Sequence, residues 1–145
     1  KFPKEELKEI LGKNGKSLYY KARGIDNSPI TEQREVKSIG EQTTFEKNTL
    51  DAIFIHNTLQ RLSDSVFKSF EKSGFEAFKT ITITVRFADF ETKTSSKSFK
   101  EGINKSNKKK LELETLKLLL PYLDKRSNPK LKLIRLVGIR IEKLF

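Results

Sequence analysis

The stretch FKTITITVRF, residues 78–87, carries the most regular strand pattern in the sequence. Its side chains alternate between apolar and polar, and a period of two places the two sets on opposite faces of a sheet. The stretch therefore predicts a strand with one buried face and one face of hydroxyls and a cation. The buried set is Ile81, Ile83, Val85 and Phe87, and the opposite set is Thr80, Thr82, Thr84 and Arg86.

The segment at residues 93–99 (KTSSKSF) is predicted to return as the hairpin partner of this strand, after a turn at residues 88–91. Nearly all of its side chains are hydroxyls or lysines, so polarity does not decide which alternate set shares the polar face. One set is Lys93, Ser95 and Lys97, and the other is Thr94, Ser96 and Ser98.

Helical patterns flank the hairpin on both sides. Upstream, apolar residues recur at steps of three and four from an N-cap at Asn48 or Thr49 as far as Gly74, which predicts a long amphipathic helix. Downstream, leucines recur in the same way over residues 108–123 and predict a second helix. The predicted buried faces are Ile55, Leu59, Leu62, Val66 and Phe70 in the first helix, and Leu113, Leu116, Leu120 and Leu123 in the second.

Two further strands complete the pattern, at residues 34–45 (REVKSIGEQTTF) and at residues 131–145. In the last strand, the predicted buried row is Leu133, Val137, Ile139 and Ile141. The order strand-helix-strand-strand-helix-strand predicts an α+β domain, in which a four-stranded sheet has both helices on one face and leaves the other face open.

The N-terminal part is predicted to be a separate, smaller piece. Residues 2–12 and 15–23 have short helical patterns, and helices of this length cannot bury a core of their own. Residues 27–33 have linker composition, with Asn27, Ser28 and Pro29 in succession. We therefore divide the chain into residues 1–26, 27–33 and 34–145.

The charge distribution indicates a polyanionic partner. The chain has 30 lysines and arginines against 19 acidic residues; subtracting the 7 and 5 in residues 1–33 leaves 23 against 14, a net charge of +9, in residues 34–145. Nucleic acid is the leading candidate for such a basic domain. Cysteine is absent, and no apolar run reaches the roughly 18 to 20 residues that span a bilayer. These features favour a cytoplasmic protein with no membrane partner, and we separately expect it to be a monomer.

Catalytic chemistry is not predicted for this chain. His56 is the single histidine, and no cysteine or aspartate stands at ligand spacing from it. The acidic residues are scattered and form no paired cluster of the kind that two-metal phosphoryl transfer needs. We therefore predict no catalytic residue and no metal or cofactor site in these residues.

The predicted function of the open face is to contact phosphate. Hydroxyls, amides and cations are the usual partners of phosphate oxygens, and such contacts read no base sequence. The central strand and the hairpin contribute Thr82, Thr84, Arg86, Lys93, Thr94, Ser95, Ser96 and Lys97, and the outer strands contribute Arg34, Lys37, Ser38, Arg135 and Arg140.

Four segments of the sequence resemble the C-terminal part of Y-family translesion DNA polymerases of the DNA polymerase IV type. They are KARGID (residues 21–26), REVKSIG followed by TF (34–45), VRFADFETKT (85–94) and RLVGIRI (135–141), in the family's order and spacing. The resemblance implies that residues 1–26 are the end of the thumb domain and that residues 34–145 are the little finger domain.

In such proteins the little finger lays its open sheet face along the major groove of primer-template DNA and grips the backbone of both strands. By position, Lys37, Ser38 and Ile39 match the family's phosphate-contacting strand, Thr94 matches the hairpin contacts, and Arg140 falls in the last strand. The resemblance therefore implies sequence-independent DNA binding that serves damage-bypass synthesis.

The resemblance also implies that the catalytic activity belongs to a longer parent protein. The family's catalytic palm, with its carboxylate-bound Mg²⁺, has no counterpart here, so polymerase activity and the cofactor are expected in the parent, which we take to be bacterial. Many members end in a peptide that binds a sliding clamp. The ending IEKLF shares only Leu144 and Phe145 with such a peptide and equally fits the end of a strand.

Two other functions remain open from the residues alone. An RNA-binding module of the RRM kind has the same element order, but it requires stacking aromatics on its two central strands, where hydroxyls stand here. A protein-interaction domain would need an exposed apolar patch, which the predicted open face lacks.

Overall fold

The computed structural model of the chain describes residues 3–30 and 36–145 and divides it into two compact units, Lys1–Arg34 and Glu35–Phe145. In the first unit, helix α1 spans Lys4–Leu11 and helix α2 spans Lys13–Lys21, close to the predicted ranges. The two helices meet at Gly15, where a β-carbon would lie 1.8 Å from the main-chain oxygen of Leu7. Neither helix buries an apolar side chain.

The second unit contains the predicted order of elements and is an α+β domain. Its elements are β1 (Ser38–Thr49), α3 (Ala52–Glu71), β2 (Ala77–Phe87), β3 (Thr92–Asn104), α4 (Lys108–Leu123) and β4 (Ile134–Leu144). The strands form one antiparallel sheet in the order β1-β4-β2-β3, so β1 and β3 are the edges. The predicted fold class is confirmed.

The core lies between one face of the sheet and the two helices. The predicted strand residues Ile81, Ile83, Val85 and Phe87 are at most 1% exposed, and they belong to one buried cluster with Ile55, Leu59, Leu62 and Val66 of α3. Assignment of the two faces of β2 from its alternation is therefore correct.

The junction between β1 and α3 differs from the prediction. β1 begins at Ser38 and continues to Thr49, and the N-cap of α3 is Asp51 rather than Asn48 or Thr49. The Asp51 carboxylate accepts hydrogen bonds from the main-chain N–H groups of Ile53 and Phe54 at 2.9 and 3.0 Å. A carboxylate at this position satisfies two of the free donors of the first helical turn.

The hairpin strand β3 is longer than predicted. Its pairing with β2 is regular from Thr92 to Ser98, shifts, and resumes at Ile103, which is fully buried. Gly102 lies in this irregularity with φ of 81°, a left-handed conformation that glycine adopts without strain. The bulge returns Ile103 to the core after the four intervening residues 99–102, which stand opposite the single residue Lys79 of β2.

The predicted buried face of α4 is wrong. Leu113 and Leu120 are 51% and 41% exposed, and the buried residues are Leu111, Glu114, Thr115, Leu119 and Tyr122. Leucines surround most of this helix, so apolar spacing alone fits more than one orientation. In the observed orientation of α4, the Thr115 hydroxyl lies beside that of Ser63 in α3, and the Tyr122 hydroxyl contacts Ser95 of β3.

The start of β4 also departs from the prediction. Leu133 is 46% exposed, whereas Ile134 is fully buried and pairs with Phe87. The next pair joins Leu136 to Arg86, so Arg135 is an extra residue in a bulge. The bulge restores the alternation for Val137, Ile139 and Ile141, which are buried as predicted.

Candidate nucleic-acid interface

The strand pairing places sixteen residues in four rows on the face of the sheet that the helices do not cover. Directly opposed residues of antiparallel strands point to the same face. Thr80, Thr82, Thr84 and Arg86 of β2 alternate with the core residues, so their partners on each side share the open face. In the order β1, β4, β2, β3, the rows are Ser38, Glu142, Thr80, Ser98; Gly40, Arg140, Thr82, Ser96; Gln42, Gly138, Thr84, Thr94; and Thr44, Leu136, Arg86, Thr92.

Hydroxyl groups dominate this open face. Nine of its sixteen residues are serine or threonine, and the aromatic side chains of the sheet are not among them. Hydroxyls both donate and accept hydrogen bonds, so the face suits phosphate and sugar oxygens better than an apolar surface. The hydroxyl residues are Ser38, Thr44, Thr80, Thr82, Thr84, Thr92, Thr94, Ser96 and Ser98.

The net charge of the open face is small. Its two cations are Arg86 and Arg140, and its one anion is Glu142. The Nε atom of Arg140 lies 2.5 Å from Oε1 of Glu142, and Nε of Arg86 donates to Oγ1 of Thr92 at 2.9 Å. The net charge of +9 in residues 34–145 therefore lies mainly outside this face.

Two glycines open a shallow depression between β1 and β4. A β-carbon on Gly40 would lie 2.8 Å from the main-chain oxygen of Ile139, and one on Gly138 would lie 2.8 Å from Cβ of Gln42. Both contacts are too close for any larger residue without movement of the strands. Because these glycines have no side chains, an anion has room to approach the guanidinium of Arg140 here.

Lys93, Ser95 and Lys97 face the helices, so their predicted place on the open face is wrong. They pair with the buried Val85, Ile83 and Ile81. Lys93 Nζ donates to the main-chain oxygen of Ser127 at 3.3 Å, Ser95 meets the Tyr122 hydroxyl at 2.6 Å, and Lys97 Nζ donates to Oε2 of Glu114 at 2.6 Å. The other set, Thr94, Ser96 and Ser98, is the one on the open face.

The Lys97 contact belongs to a structural ion-pair cluster. Glu114 is buried, and it accepts hydrogen bonds from Lys97 and also from Lys117 at 2.9 Å. These two hydrogen bonds, that of Lys97 first, hold the pKa of the Glu114 carboxyl below its ordinary value. The cluster fastens α4 to β3 and pairs the Lys97 ammonium with Glu114 on the helix-facing side of the sheet.

The structure places the predicted contact residues of the first strand in three different situations. Ser38 is exposed and begins the first row, as predicted. Ile39 pairs with Ile141 and packs against the core, so its side chain faces the helices and only its main chain is available to a ligand. Lys37 is exposed just before β1 and outside the paired residues, and Arg34 lies outside the described residues.

The remaining predicted residues differ in accessibility. Thr82 is on the open face but only 6% exposed, because Arg140 and Ser96 flank it. Thr84 and Arg86 are half-buried, and Arg140 is exposed. Contact with a large ligand therefore falls mostly to Arg140 and the exposed hydroxyls of the edge strands.

Sequence reasoning missed several residues of the face. Gln42, Thr44, Thr92 and Glu142 belong to it, and the alternation that starts at Ser38 was the available signal for the first two. Glu142 follows from the alternation of the last strand, because Val137, Ile139 and Ile141 form its buried row and Arg140 and Glu142 fall on the opposite face.

Ion pairs hold the hairpin tip, which is the turn between β2 and β3 next to this face. Lys132 Nζ lies 2.5 Å from both Oδ2 of Asp89 and Oε2 of Glu91. These hydrogen bonds lower the pKa of each carboxyl and raise the pKa of Lys132. Phe90, between the two acids, is 66% exposed and has the guanidinium carbon of Arg135 4.9 Å from its ring centroid.

Other kinds of site are not evident where the structure describes the chain. Over residues 3–30 and 36–145, no group of three histidine, aspartate or glutamate side chains could hold a metal ion. Within that same range, no helix has the length and apolar content needed to cross a bilayer.

The sequence profile of the impB/mucB/samB family C-terminal domain matches residues 36–144. DNA polymerase IV 2 of Methanosarcina mazei is 37% identical over 138 residues, which cover 95% of this chain and 35% of that protein. DNA polymerase IV of Clostridium perfringens is 35% identical over 147 residues, covering 99% of this chain and 38% of that protein. The chain thus spans little more than a third of the length of these curated relatives.

Solved structures show the same fold. A Y-family DNA polymerase chimera of Dbh and Dpo4 superposes with a TM-score of 0.69 at 23% identity, over 99% of this chain and 39% of that one. The little finger domain of PolIV, solved in complex with a β-clamp processivity factor, superposes with a TM-score of 0.57 at 17% identity, over 72% of this chain and 86% of that one. The chain belongs to the impB/mucB/samB family, with residues 36–144 as its C-terminal domain, and that domain has the fold of the little finger of Y-family DNA polymerases.

Proposed function

We propose that the little finger domain binds the backbone of primer-template DNA through its open sheet face, without sequence preference. This proposal rests on the four rows of the open face. They bring together nine hydroxyl residues, two arginines and the depression at Gly40 and Gly138. Hydroxyl, guanidinium and main-chain N–H groups are the protein's usual partners for phosphate, and they carry no base information.

The composition of the face favours a duplex backbone over the RRM alternative. The two central strands are β4 and β2, and their residues on the open face are Glu142, Arg140, Gly138 and Leu136, and Thr80, Thr82, Thr84 and Arg86. RRM recognition of RNA stacks bases on aromatic side chains at such positions. Because these eight residues include no aromatic ring, the face has no platform for that mode.

The low net charge of the face implies modest affinity for the domain alone. Among the described residues, Arg86 and Arg140 on the face, with the predicted contacts Lys37 and Arg135 beside it, give four cations for phosphate. In a larger polymerase, such a weak contact still adds to overall affinity, because a tethered second contact binds at high effective concentration. The domain then serves as a grip on DNA rather than as an independent binding protein.

The parent protein is proposed to be a DNA-directed DNA polymerase that synthesises past damaged bases, because the relatives named above are DNA polymerases IV. Residues 1–26 are proposed to be the end of its thumb, and residues 27–33 a linker. Mg²⁺, which supplies electrostatic stabilisation in phosphoryl transfer, would be held by the palm, since the described residues here offer no carboxylate cluster for it. We expect a monomer that works in the cytoplasm.

A sliding clamp is the second proposed partner of the parent, since the PolIV little finger was solved with a β-clamp. In the present structure Leu144 is the last residue of β4, and Phe145 exchanges main-chain hydrogen bonds with Ala77 at 2.9 and 3.0 Å. Binding of these two residues to a clamp would require them to leave the sheet.

The proposal is tested by measuring the affinity of the 145-residue chain for a fluorescently labelled primer-template over a salt series. Each phosphate neutralised contributes about −0.9 to the slope of log affinity against log salt, so four cations or fewer predict a slope of about −2 to −4. Arg140→Gln should reduce the magnitude of the slope by about 0.9 and weaken binding to all sequences alike. Lys125→Gln, in the loop after α4, is the control, and an equal effect there would mean that diffuse charge, not the open face, binds DNA.

A further inference from the structure

The hairpin tip between β2 and β3 presents an exposed phenylalanine on a strained backbone. Phe90 has φ of 66° and is 66% exposed. A bulky side chain in the left-handed region is an outlier, since this conformation favours glycine, asparagine and aspartate. Burial cannot be the reason for a phenylalanine at this position, so the strain points to a role for the ring itself.

The tip is held in place by hydrogen bonds and ion pairs. Phe87 N–H donates to the main-chain oxygen of Glu91 at 2.9 Å, and Phe90 N–H donates to that of Phe87 at 3.0 Å. Lys132, from the segment before β4, binds the carboxylates of both Asp89 and Glu91. The ring is therefore presented in a defined position, and a ligand that used it would not have to order the turn.

A guanidinium group accompanies the ring. Arg135, the bulged residue of β4, has its guanidinium carbon 4.9 Å from the ring centroid of Phe90. Its neighbour Leu136 lies in the last row of the open face, together with Arg86 and Thr92. An aromatic ring with an adjacent arginine at the edge of a phosphate-binding surface is the combination that single-stranded nucleic acid uses for stacking and charge neutralisation.

We propose that Phe90 and Arg135 form a stacking site for one unpaired nucleobase of the single strand that adjoins the duplex. This inference rests on the proposed function, because the open face must first hold the duplex. Bases inside a duplex are already stacked and offer no free ring face, so an exposed phenylalanine selects an unpaired base. Asp89 and Glu91 on each side of the ring are charged, so the tip lacks the wider apolar patch that a protein partner would need.

Fluorescence tests the stacking directly. The chain contains no tryptophan, so Phe90→Trp introduces a single tryptophan at the tip, whose emission can be excited apart from that of the three tyrosines. We expect a primer-template with a single-stranded overhang to quench its emission at least about twice as strongly as the blunt duplex does, because base–aromatic stacking requires an unpaired base. Equal quenching by the two DNAs would overturn the proposal.

Phe145→Trp is the matched control for this experiment. Phe145 is 53% exposed and lies 5.0 Å from Lys79 Nζ, measured to the ring centroid, so its ring also has an exposed surface and a nearby cation. It follows the last residue of β4, and so lies at the opposite end of that strand from Arg135. A quenching difference between overhang and blunt DNA at Phe145→Trp as large as at Phe90→Trp would also overturn the proposal.

Affinity separates this inference from the proposed function. Phe90→Leu keeps an apolar side chain and the same backbone strain but removes the ring. It should weaken binding to the overhang DNA roughly fivefold or more and change binding to blunt duplex by less than about twofold. If Phe90→Leu weakens neither DNA, or both equally, the stacking site is refuted while duplex binding stands. If the unmodified chain binds neither DNA, the proposed function itself fails.

Discussion

Replacement of Glu142 by glutamine should strengthen DNA binding. Glu142 forms an ion pair with Arg140, the more exposed of the two cations on the open face. Its Oε1 lies 2.5 Å from Nε of Arg140, and the two side chains are 30% and 55% exposed. Ion pairs this accessible to water are worth about 0.2 to 1 kcal/mol. A phosphate that binds Arg140 must either displace Glu142 or share the guanidinium with it.

The expected gain follows from these two effects. Loss of the competing carboxylate is worth about 1.4-fold to 5-fold in affinity, from the conversion of about 0.2 to 1 kcal/mol. Loss of repulsion between Glu142 and a phosphate some 7 Å away adds a few tenths of a kcal/mol at physiological salt. Glu142→Gln should therefore bind about twofold to eightfold more tightly, and the salt slope should steepen by at most about 0.9.

The assay is fluorescence anisotropy with labelled primer-template DNA for Glu142→Gln, Arg140→Gln and the double variant. In the Arg140→Gln background, Glu142→Gln should gain less than about twofold, because only the direct repulsion remains. Glu41→Gln is the control, since Glu41 pairs with Ile139 and so points away from the open face, yet carries the same charge. An equal gain at Glu41→Gln, or an undiminished gain without Arg140, would refute the reasoning.

Two predictions concern stability. Ile83→Ala should lower the free energy of unfolding by roughly 2 to 5 kcal/mol, because Ile83 is 1% exposed in the core. Thr84→Ala, on the other face of the same strand, should lower it by less than about 1 kcal/mol. Chemical denaturation measures both values. Glu114→Gln should flatten the acid limb of stability. The folded pKa of Glu114 is depressed below its ordinary value of 4.5, so its ionised form stabilises the fold above that value, and this contribution is lost as the pH falls through the folded pKa. A curve of unfolding free energy against pH that is equally steep for Glu114→Gln and the unmodified chain would contradict this.

The faces of β2 could be predicted from the sequence, because apolar and polar side chains alternate there without interruption. No such contrast exists in β3, where serine, threonine and lysine occupy both alternate sets. Its orientation follows from partners distant in the chain: Ser95 meets Tyr122 and Lys97 meets Glu114. For that reason the sequence did not place Lys93, Ser95 and Lys97 on the helix-facing side of β3.

The face of α4 and the bulge at Arg135 were beyond sequence reasoning for a related cause. Leucines on nearly every side of α4 allow several orientations of the helix. In the orientation that the structure shows, polar side chains of α4 form hydrogen bonds with other elements. One extra residue at Arg135 changes which residues of β4 are buried, so Ile134 replaces Leu133 in the core. Periodicity identifies an element, but long-range contacts decide its rotation and register.

The most direct test of the central claim is a map of DNA-induced changes in amide chemical shift, recorded on the isotope-labelled chain as duplex DNA is added. If the open face grips the DNA backbone, the largest changes should fall on Gly40, Gln42, Gly138 and Thr94, and the solvent-facing side of α4 should change little. Largest changes around Leu113 on α4, with the rows of the open face unaffected, would contradict the account.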